Sequence, residues 1–481
     1  MASGPRAFSG SLPATNYQRR RGHHGGHGVS MKIALIGAAG VRTPLLVHGL
    51  AGLGEQIRLD DLALWDPDAQ RLAAMGRVSE AMARRMGLRA RLKTFATAEG
   101  AIEGAAFVIT SIRVGGIDAR VKDETIALAH GLVGQETVGA GGFACAMRNL
   151  AAMLEYAHLV ERVAPRATLI NFTNPVGIIS QGLLNHSQVK ILGVCDTPLE
   201  TFEAIAKALG RSPFKLQFDY LGLNHLGWVR AIRDQKGVDS LPELLASPDL
   251  IRRIYRHNLF PAEFIAKLGL LPTEYLYFYY FPQEAHKNTA QSGNSRGQAI
   301  AGMNVRLFQR LSRAGESELV EIYENYLRER NASYFSIEAT AGATKRQDLE
   351  LYSQFSGYDR IAVLVLEALH TSEPSVIPLT VRNGGALSDL DADDAVELPC
   401  QISSSGIHVP SVGAVPAAVH PLLLQVKEYE RLTVRAAVDH SRETALAALA
   451  KNPLVGRADL AQAVLADYLR AFGPEMRLRA A

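Results

Sequence analysis

Residues Lys32–Pro44 read K-I-A-L-I-G-A-A-G-V-R-T-P. Lys32–Gly37 is a short apolar run ending in a glycine-rich turn, the pattern of a strand buried in a parallel sheet. Thr43–Leu53 follows with helical spacing. A strand, a tight turn and a helix in this order bring backbone N–H groups and a helix N-terminus together, which favours a pyrophosphate. Gly37, Ala39, Gly40, Val41 and Arg42 therefore form a candidate dinucleotide-binding turn. Ala39 stands where the usual fingerprint has its second glycine, and Gly40 comes one place later. Asp66 ends the next apolar run, Asp61–Asp66 (D-L-A-L-W-D). A carboxylate there accepts hydrogen bonds from a ribose diol and repels a 2′-phosphate, so the cofactor reads as NAD rather than NADP. The plainer alternative is a strand–helix turn with a solvated aspartate.

Outward from this stretch the alternation persists. Asp68–Met86 is rich in Ala and Arg, with Leu72, Met75, Val78, Met82 and Met86 near helical spacing. Ala106–Ser111, Ala167–Phe172 and Lys190–Cys195 are further apolar strands, and Phe143–Val163 is a long amphipathic helix. This rhythm predicts an α/β fold, a Rossmann-like doubly wound parallel sheet, with residues 31–200 as the NAD-binding domain. Beyond Pro198 the rhythm breaks. Gln217–Leu223 reads as a strand, aromatic residues cluster near Tyr275, and a long helix covers Ala299–Leu311. Residues 201–481 are expected to form a second, α/β or α+β lobe for substrate binding and oligomerisation.

Composition narrows the classes. The chain has 481 residues, and its 47% hydrophobic and 21% charged fractions suit a soluble globular protein. No apolar run approaches the ~20 residues of a spanning helix. Residues 1–30 hold Arg6, Arg19, Arg20 and Arg21 and no acid, so the net charge of +3 falls to −1 without them. A near-neutral body is not that of a nucleic-acid binder. The arm is rich in Gly, Ser and His and lacks the apolar core of a secretory signal. It is expected to be a disordered extension whose His23, His24 and His27 could hold stray metal. Three cysteines, Cys145, Cys195 and Cys400, are too few for a disulfide framework and suit a cytoplasmic location.

Three polar segments fall where strand-end loops would meet a ligand. They are S-I-R-V-G-G-I-D-A-R (Ser111–Arg120), G-Q-E-T-V-G-A-G-G (Gly134–Gly142, with the single acid Glu136) and N-F-T-N-P (Asn171–Pro175). Singly each reads as a loop; together, at the carboxyl ends of strands in one sheet, they point to one crevice. Cys195 ends another strand in V-C-D-T-P, and His225 follows in G-L-N-H-L-G-W. Thiolate and imidazole suit a transition metal and leave positions open for substrate. The competing reading is a small buried cysteine and a structural histidine.

The ordered set resembles glycoside hydrolase family 4, the NAD-dependent exception among glycosidases. The resemblance runs from Met31 into the C-terminal region. It rests on I-R-V-G-G-x-x-x-R, G-Q-E-T-x-G-x-G-G, N-x-T-N-P, C-D-x-P, G-L-N-H, P-x-x-Y (Pro272–Tyr275) and the stretch Arg382–Pro399. It implies a lactate/malate dehydrogenase-like fold and a homodimer or homotetramer. It implies that Cys195 and His225 hold a divalent metal, usually manganese, and that Tyr275 is the catalytic base with Glu136 helping to make it basic. Arg120 and Asn174 match substrate-binding positions, Arg296 matches a residue near a substrate phosphate, and Asp196 matches the general acid of the phospho-α-glucosidase branch. Asp196 could instead orient Cys195 or a metal-bound water. The chain departs from the family at Thr273, usually Asn, and at Tyr277, usually Lys or Arg. Tyr275 thus stands among Tyr277, Tyr279 and Tyr280, and Tyr279 is a second candidate base.

The implied reaction hydrolyses 6-phospho-β-glucosides to glucose 6-phosphate and an aglycone. NAD oxidises C3 of the sugar, the C2 proton becomes acidic, the aglycone leaves by elimination, and water and hydride are then returned. A tyrosine with an ordinary pKa near ~10 needs help from its surroundings to act as the base. Asp196 favours the related 6-phospho-α-glucosidase, since the β branch often has Asn there. An ordinary NAD-dependent sugar or 2-hydroxyacid dehydrogenase and a non-catalytic NAD-sensing module are the remaining alternatives.

Overall fold

The computed structural model describes residues 30–53, 57–339, 351–353 and 355–479. The expected extension therefore lies outside the described residues, except for Ser30. Six strands form the first half: β1 (Ser30–Ile36), β2 (Arg58–Trp65), β3 (Arg91–Thr94), β4 (Phe107–Thr110), β5 (Thr168–Asn171) and β6 (Lys190–Gly193). They pair in parallel in the order 3-2-1-4-5-6. This is the expected doubly wound sheet. Ile33, Ala34, Leu35 and Ile36 of β1 are all buried, because helices cover both faces.

The sheet does not stop at β6. The second half contributes β7 (Leu216–Leu223), β8 (Leu226–Asp234), β9 (Leu271–Pro272), β10 (Ser375–Arg382), β11 (Ala395–Ser403) and β12 (Gly406–His408). β10 lies antiparallel to β6 through Thr380 and Gly193. β11 pairs with β10 along its length and meets β7 at Glu397 and Gly222. β7 and β8 form a hairpin, β9 closes that edge, and β12 folds onto β11. Residue 200, the expected domain limit, lies within the helix Thr197–Ala208. Among the described residues, no helix is long and apolar enough to cross a membrane.

Two segments read as loops are partly helical. Arg120 lies in the helix Gly116–Ala129. That helix buries Arg120, Asp123 and Glu124 beside Ala119 and Ala127, so it shows no apolar stripe. The long helix starts at Gly139, ahead of the amphipathic pattern at Phe143. Its first turn packs on the preceding loop, and a Cβ on Gly142 would stand 2.7 Å from the Thr137 carbonyl oxygen. The glycines that read as loop are there for close approach.

The junction between β6 and β10 is similarly tight. A Cβ on Gly193 would stand 2.7 Å from Thr380 Cβ and 2.9 Å from Val176 Cγ1. Gly193→Val is expected to lower the urea midpoint of unfolding, with a cost of about 1–3 kcal/mol or more. An unchanged midpoint would show that the junction is looser than this packing requires.

Candidate active site

The glycine-rich turn is held by the neighbouring strand. Gly37 and Ala38 donate backbone hydrogen bonds to the Trp65 carbonyl at 3.0 and 3.1 Å. Gly37 has φ +94°, and a Cβ there would collide with the Ser111 carbonyl. Gly40 N–H bonds the Gly37 carbonyl at 3.1 Å, and the Val41 carbonyl accepts from Tyr323 Oη at 2.8 Å. Both Asp66 carboxylate oxygens accept backbone hydrogen bonds, from Ala39 at 3.1 Å and Asp68 at 2.9 Å. Burial nevertheless raises the Asp66 pKa. The helix Thr43–Leu50 begins directly after Arg42, leaving its N-terminus beside this turn.

A cavity of about 230 Å³ opens next to it. Arg42, Asn174, Cys195, Asp196 and His225 line it, as do Glu136, Tyr275, Arg120 and Arg296. All the candidate catalytic, substrate and metal residues thus meet in one place. Gly37, Ala39, Gly40, Val41 and Asp66 are not in its lining; they form the turn that ends with Arg42.

Cys195 follows β6, and His225 sits at the two-residue tip of the β7–β8 hairpin with φ +62°. Cys195 Sγ lies 3.5 Å from His225 Nε2. Burial holds the His225 imidazole neutral, with its pKa down to about 3. Burial, then the Asp196 and Glu397 charges, pushes the Cys195 thiol up. A soft sulfur and an imidazole nitrogen this close fit a transition-metal ion. Asn174 Oδ1, also in the cavity, is a buried oxygen with no hydrogen-bond partner among the described residues.

The Tyr275 ring stacks on His225 with centroids 3.7 Å apart and planes 6° from parallel. Burial, then the negative charge of Glu136, raises its pKa, and a hydrogen bond with Tyr334 opposes this. The other tyrosines of the cluster are absent from the lining. Tyr277 donates to the Glu338 carbonyl at 3.2 Å, and Tyr280 accepts from Trp228 Nε1 at 3.0 Å. Burial and the charge of Glu430 raise the pKa of Tyr279.

Charged groups fill one wall. Glu136 pairs with Arg120 and lies 3.5 Å from Arg113 Nη2. Burial opposes its ionisation, but the charges of Arg120, Arg113, Arg330 and Arg42 together outweigh burial and hold its pKa below the usual carboxylate range. Arg120 Nε also donates to Glu124 Oε1 at 2.9 Å. Arg296 is different. It is 6% exposed and donates to the Ser333 carbonyl, to Ser333 Oγ at 2.6 Å and to the Arg330 carbonyl at 2.8 Å. Burial lowers its pKa to about 10. Asp196 Oδ1 is 3.9 Å from Cys195 Sγ, and its charge acts on Arg42, whose guanidinium lies 4.5 Å from the Tyr358 ring.

Sequence reasoning missed several lining residues. Arg330 and Asn331 come from the end of the helix Leu319–Ala332, and Tyr334 and Glu338 follow it. They stand in R-N-A-S-Y-F-S-I-E, where no periodic or glycine-rich signal separates them from an ordinary helix end. Arg113 lies in the Ser111–Arg120 motif, yet only the fold shows that it faces Glu136.

Comparison with known proteins identifies the family of the chain. The family model described as family 4 glycosyl hydrolase matches residues 32–211, and that for the family 4 glycosyl hydrolase C-terminal domain matches residues 220–455. The chain belongs to family 4 of the glycosyl hydrolases. It is 30% identical to a 6-phospho-beta-glucosidase of Thermotoga maritima over 442 residues, covering 92% of this chain and 98% of that protein. A structure of the 6-phospho-beta-glucosidase from Thermotoga maritima with NAD and glucose-6-phosphate aligns with a TM-score of 0.78 at 29% identity, covering 94% of this chain and 100% of that one. A 6-phospho-alpha-glucosidase from gut microorganisms, also with NAD and glucose-6-phosphate, aligns with a TM-score of 0.74 at 25% identity, covering 92% and 98%.

The ionic wall gives a direct expectation. Glu136→Ala leaves Arg120 and Arg113 facing each other without their shared carboxylate. Unfolding free energy should fall by about 3 kcal/mol, the low end for breaking a buried pair because the cavity admits water. Denaturant unfolding measures it, and a loss within error of zero would show that Glu124 alone suffices for Arg120.

Proposed function

We propose that this chain hydrolyses 6-phospho-β-glucosides to glucose 6-phosphate and a free aglycone, with NAD and a divalent cation, Mn²⁺, as cofactors. The observation that carries the reading is the stacking of Tyr275 on His225, beside Cys195 and in one cavity with the buried Arg120 and Arg296. When bound, NAD would supply a hydride acceptor for the sugar and the cation a Lewis acid. The turn Gly37–Arg42 and Asp66 would hold the dinucleotide, and Cys195 and His225 the cation.

The remaining roles belong to side chains. Tyr275 takes the C2 proton; its raised pKa makes the phenolate a strong base once formed. Burial, and after it the Glu136 charge, raises that basicity, and Glu136 also fixes Arg120. Arg296, hydrogen-bonded to neutral oxygens and within reach of the Glu338 charge, supplies a positive charge for the 6-phosphate, and Arg120 stands with it. Asn174 Oδ1 supplies a free acceptor for a sugar hydroxyl. The pocket thus suits a small phosphorylated glycoside. The reading also places the chain in the cytoplasm, where Cys195 stays a free thiol, as a homodimer or homotetramer. It keeps residues 31–200 and 201–481 as its cofactor-binding and substrate-binding parts.

Asp196 motivates a second reading, a 6-phospho-α-glucosidase in which this carboxyl protonates the leaving oxygen. Hydrolysis of 4-nitrophenyl β-glucoside 6-phosphate, and not the α anomer, with NAD and Mn²⁺ is expected; cleavage of the α anomer alone would decide for the second. Net NADH formation without aglycone release would point to a plain dehydrogenase and sink both.

Variants separate the roles. Tyr275→Phe should slow release of deuterium from C2 by about 10²–10⁴-fold, the scale of a lost general base, with folding unchanged. Equal slowing by Tyr279→Phe would overturn the assignment. Cys195→Ser and His225→Asn should abolish Mn²⁺-dependent turnover yet retain NAD binding by fluorescence. Full activity of wild type in a chelator would remove the metal from the reading.

A further inference from the structure

The motif Gln135-Glu136-Thr137 places two neutral side chains around its acid, and their hydrogen bonds have only one consistent direction. Gln135 Oε1 accepts from the backbone N–H groups of Thr137 and Val138, the latter at 3.0 Å. Two converging donors identify this atom as the amide oxygen, because the amide nitrogen would set N–H against N–H. Thr137 Oγ1 lies 2.9 Å from the same oxygen. Its one hydroxyl proton must point there, since otherwise lone pairs would face each other in a buried place. Thr137 Oγ1 is also 3.1 Å from His225 Nδ1. Having given its proton to Gln135, the hydroxyl can only accept, so Nδ1 carries the imidazole proton. Nε2 is then bare and faces Cys195 Sγ at 3.5 Å.

We propose that Gln135 and Thr137 are positioning residues that hold His225 in the Nδ1–H tautomer, aiming the Nε2 lone pair at the cation site beside Cys195. The imidazole plane is fixed separately by the stack on Tyr275. The ring is therefore held both in orientation and in proton placement before a cation arrives, as metal-binding histidines commonly are by the group on their other nitrogen. The backbone is held too. His225 adopts φ +62° at the hairpin tip, and Asn224 beside it donates to Glu397 at 3.0 Å. The proposal's purpose rests on the reading of Cys195 and His225 as cation ligands; the tautomer itself does not.

The test uses the metal-free full chain with ¹⁵N-labelled histidine, the His225 signals being assigned by their loss in His225→Asn. Wild type is expected to show Nδ1 protonated and Nε2 bare. Thr137→Val, close in shape, should populate the Nε2–H form and weaken Mn²⁺ binding measured by calorimetry about 10–100-fold, the scale of a lost partner behind a metal ligand. Thr137→Ser should restore both. An Nε2–H form in wild type would overturn the proposal, as would Thr137→Val with unchanged tautomer and affinity. If Thr137→Val does not fold, the wild-type spectrum and Gln135→Leu, which frees the hydroxyl to turn, still decide it. Absence of Mn²⁺ binding by wild type would instead fail the cation reading, while the tautomer measurement still stands on its own.

Discussion

A buried carboxylate must be paired, and Glu136 is the one around which this cavity is arranged. Its ionisation is opposed by burial and restored by a set of arginines, Arg120 and Arg113 foremost. Arg120 is then shared with Glu124, whose second oxygen accepts from the Gly297 N–H at the start of the helix Arg296–Leu311. One chain of charge-assisted bonds runs from the glycine-rich loop to the helix that carries Arg296. Its members come from three separate stretches, so none can be removed from water without the others in place. Such a network sets the distance between Arg120 and Arg296 more firmly than apolar packing would, because hydrogen bonds have direction and carboxylate geometry is fixed.

The same desolvation suppresses charge elsewhere in the cavity. The Cys195 thiol and the Tyr275 phenol are both pushed up, and His225 is pushed down to about 3. Each group rests in its neutral form. All three shifts share burial as their largest cause, so a positive charge placed among them would act on all three at once, and strongly, because the surroundings are poorly polarisable. Cation binding and proton release are coupled at such a site. Tyr275 is closest to this coupling through its stack on His225, which separates it physically from Tyr277, Tyr279 and Tyr280, each engaged or placed elsewhere.

The first half of the fold was legible because buried parallel strands are short apolar runs, and Lys32–Gly37 and Ala106–Ser111 look like nothing else. The start of the helix at Gly139 was not, because glycines selected for close approach carry no periodicity. The helix holding Arg120 was hidden for a related reason: its buried side is made of charged residues that pair with one another. The continuation of the sheet through β10 and β11 could not be read at all, since the β6–β10 contact joins residues far apart in the chain and is enabled by the absence of a side chain at Gly193. In the site, Cys195 and His225 were visible as donor types, but their 3.5 Å separation depends on that continuation. Arg330 and Tyr334 had no signal beyond an ordinary helix end.

The late stretch Arg382–Pro399 shows how residues without chemistry of their own can serve this site. Asn383 donates to the carbonyls of Leu387, Leu390 and Asp391 and accepts from Leu387 N–H, which closes the loop between β10 and β11. That loop delivers Glu397 into register opposite Gly222. Glu397 then accepts from Tyr220 Oη at 2.6 Å and Asn224 Nδ2 at 3.0 Å. Gly227, where a Cβ would overlap the Tyr220 ring, makes room for that phenol. The hairpin tip is thereby fastened from its outer side, and the left-handed backbone of His225, an uncommon conformation for a residue other than glycine, is held by contacts on Asn224 rather than by its own preference. The stretch matters to the cavity because β10 and β11 together connect the cysteine's side of the sheet with the histidine's. A site assembled from β6 and from the turn after β7 needs such a bridge, and the carboxylate on it binds the hairpin where apolar packing would let the tip slide.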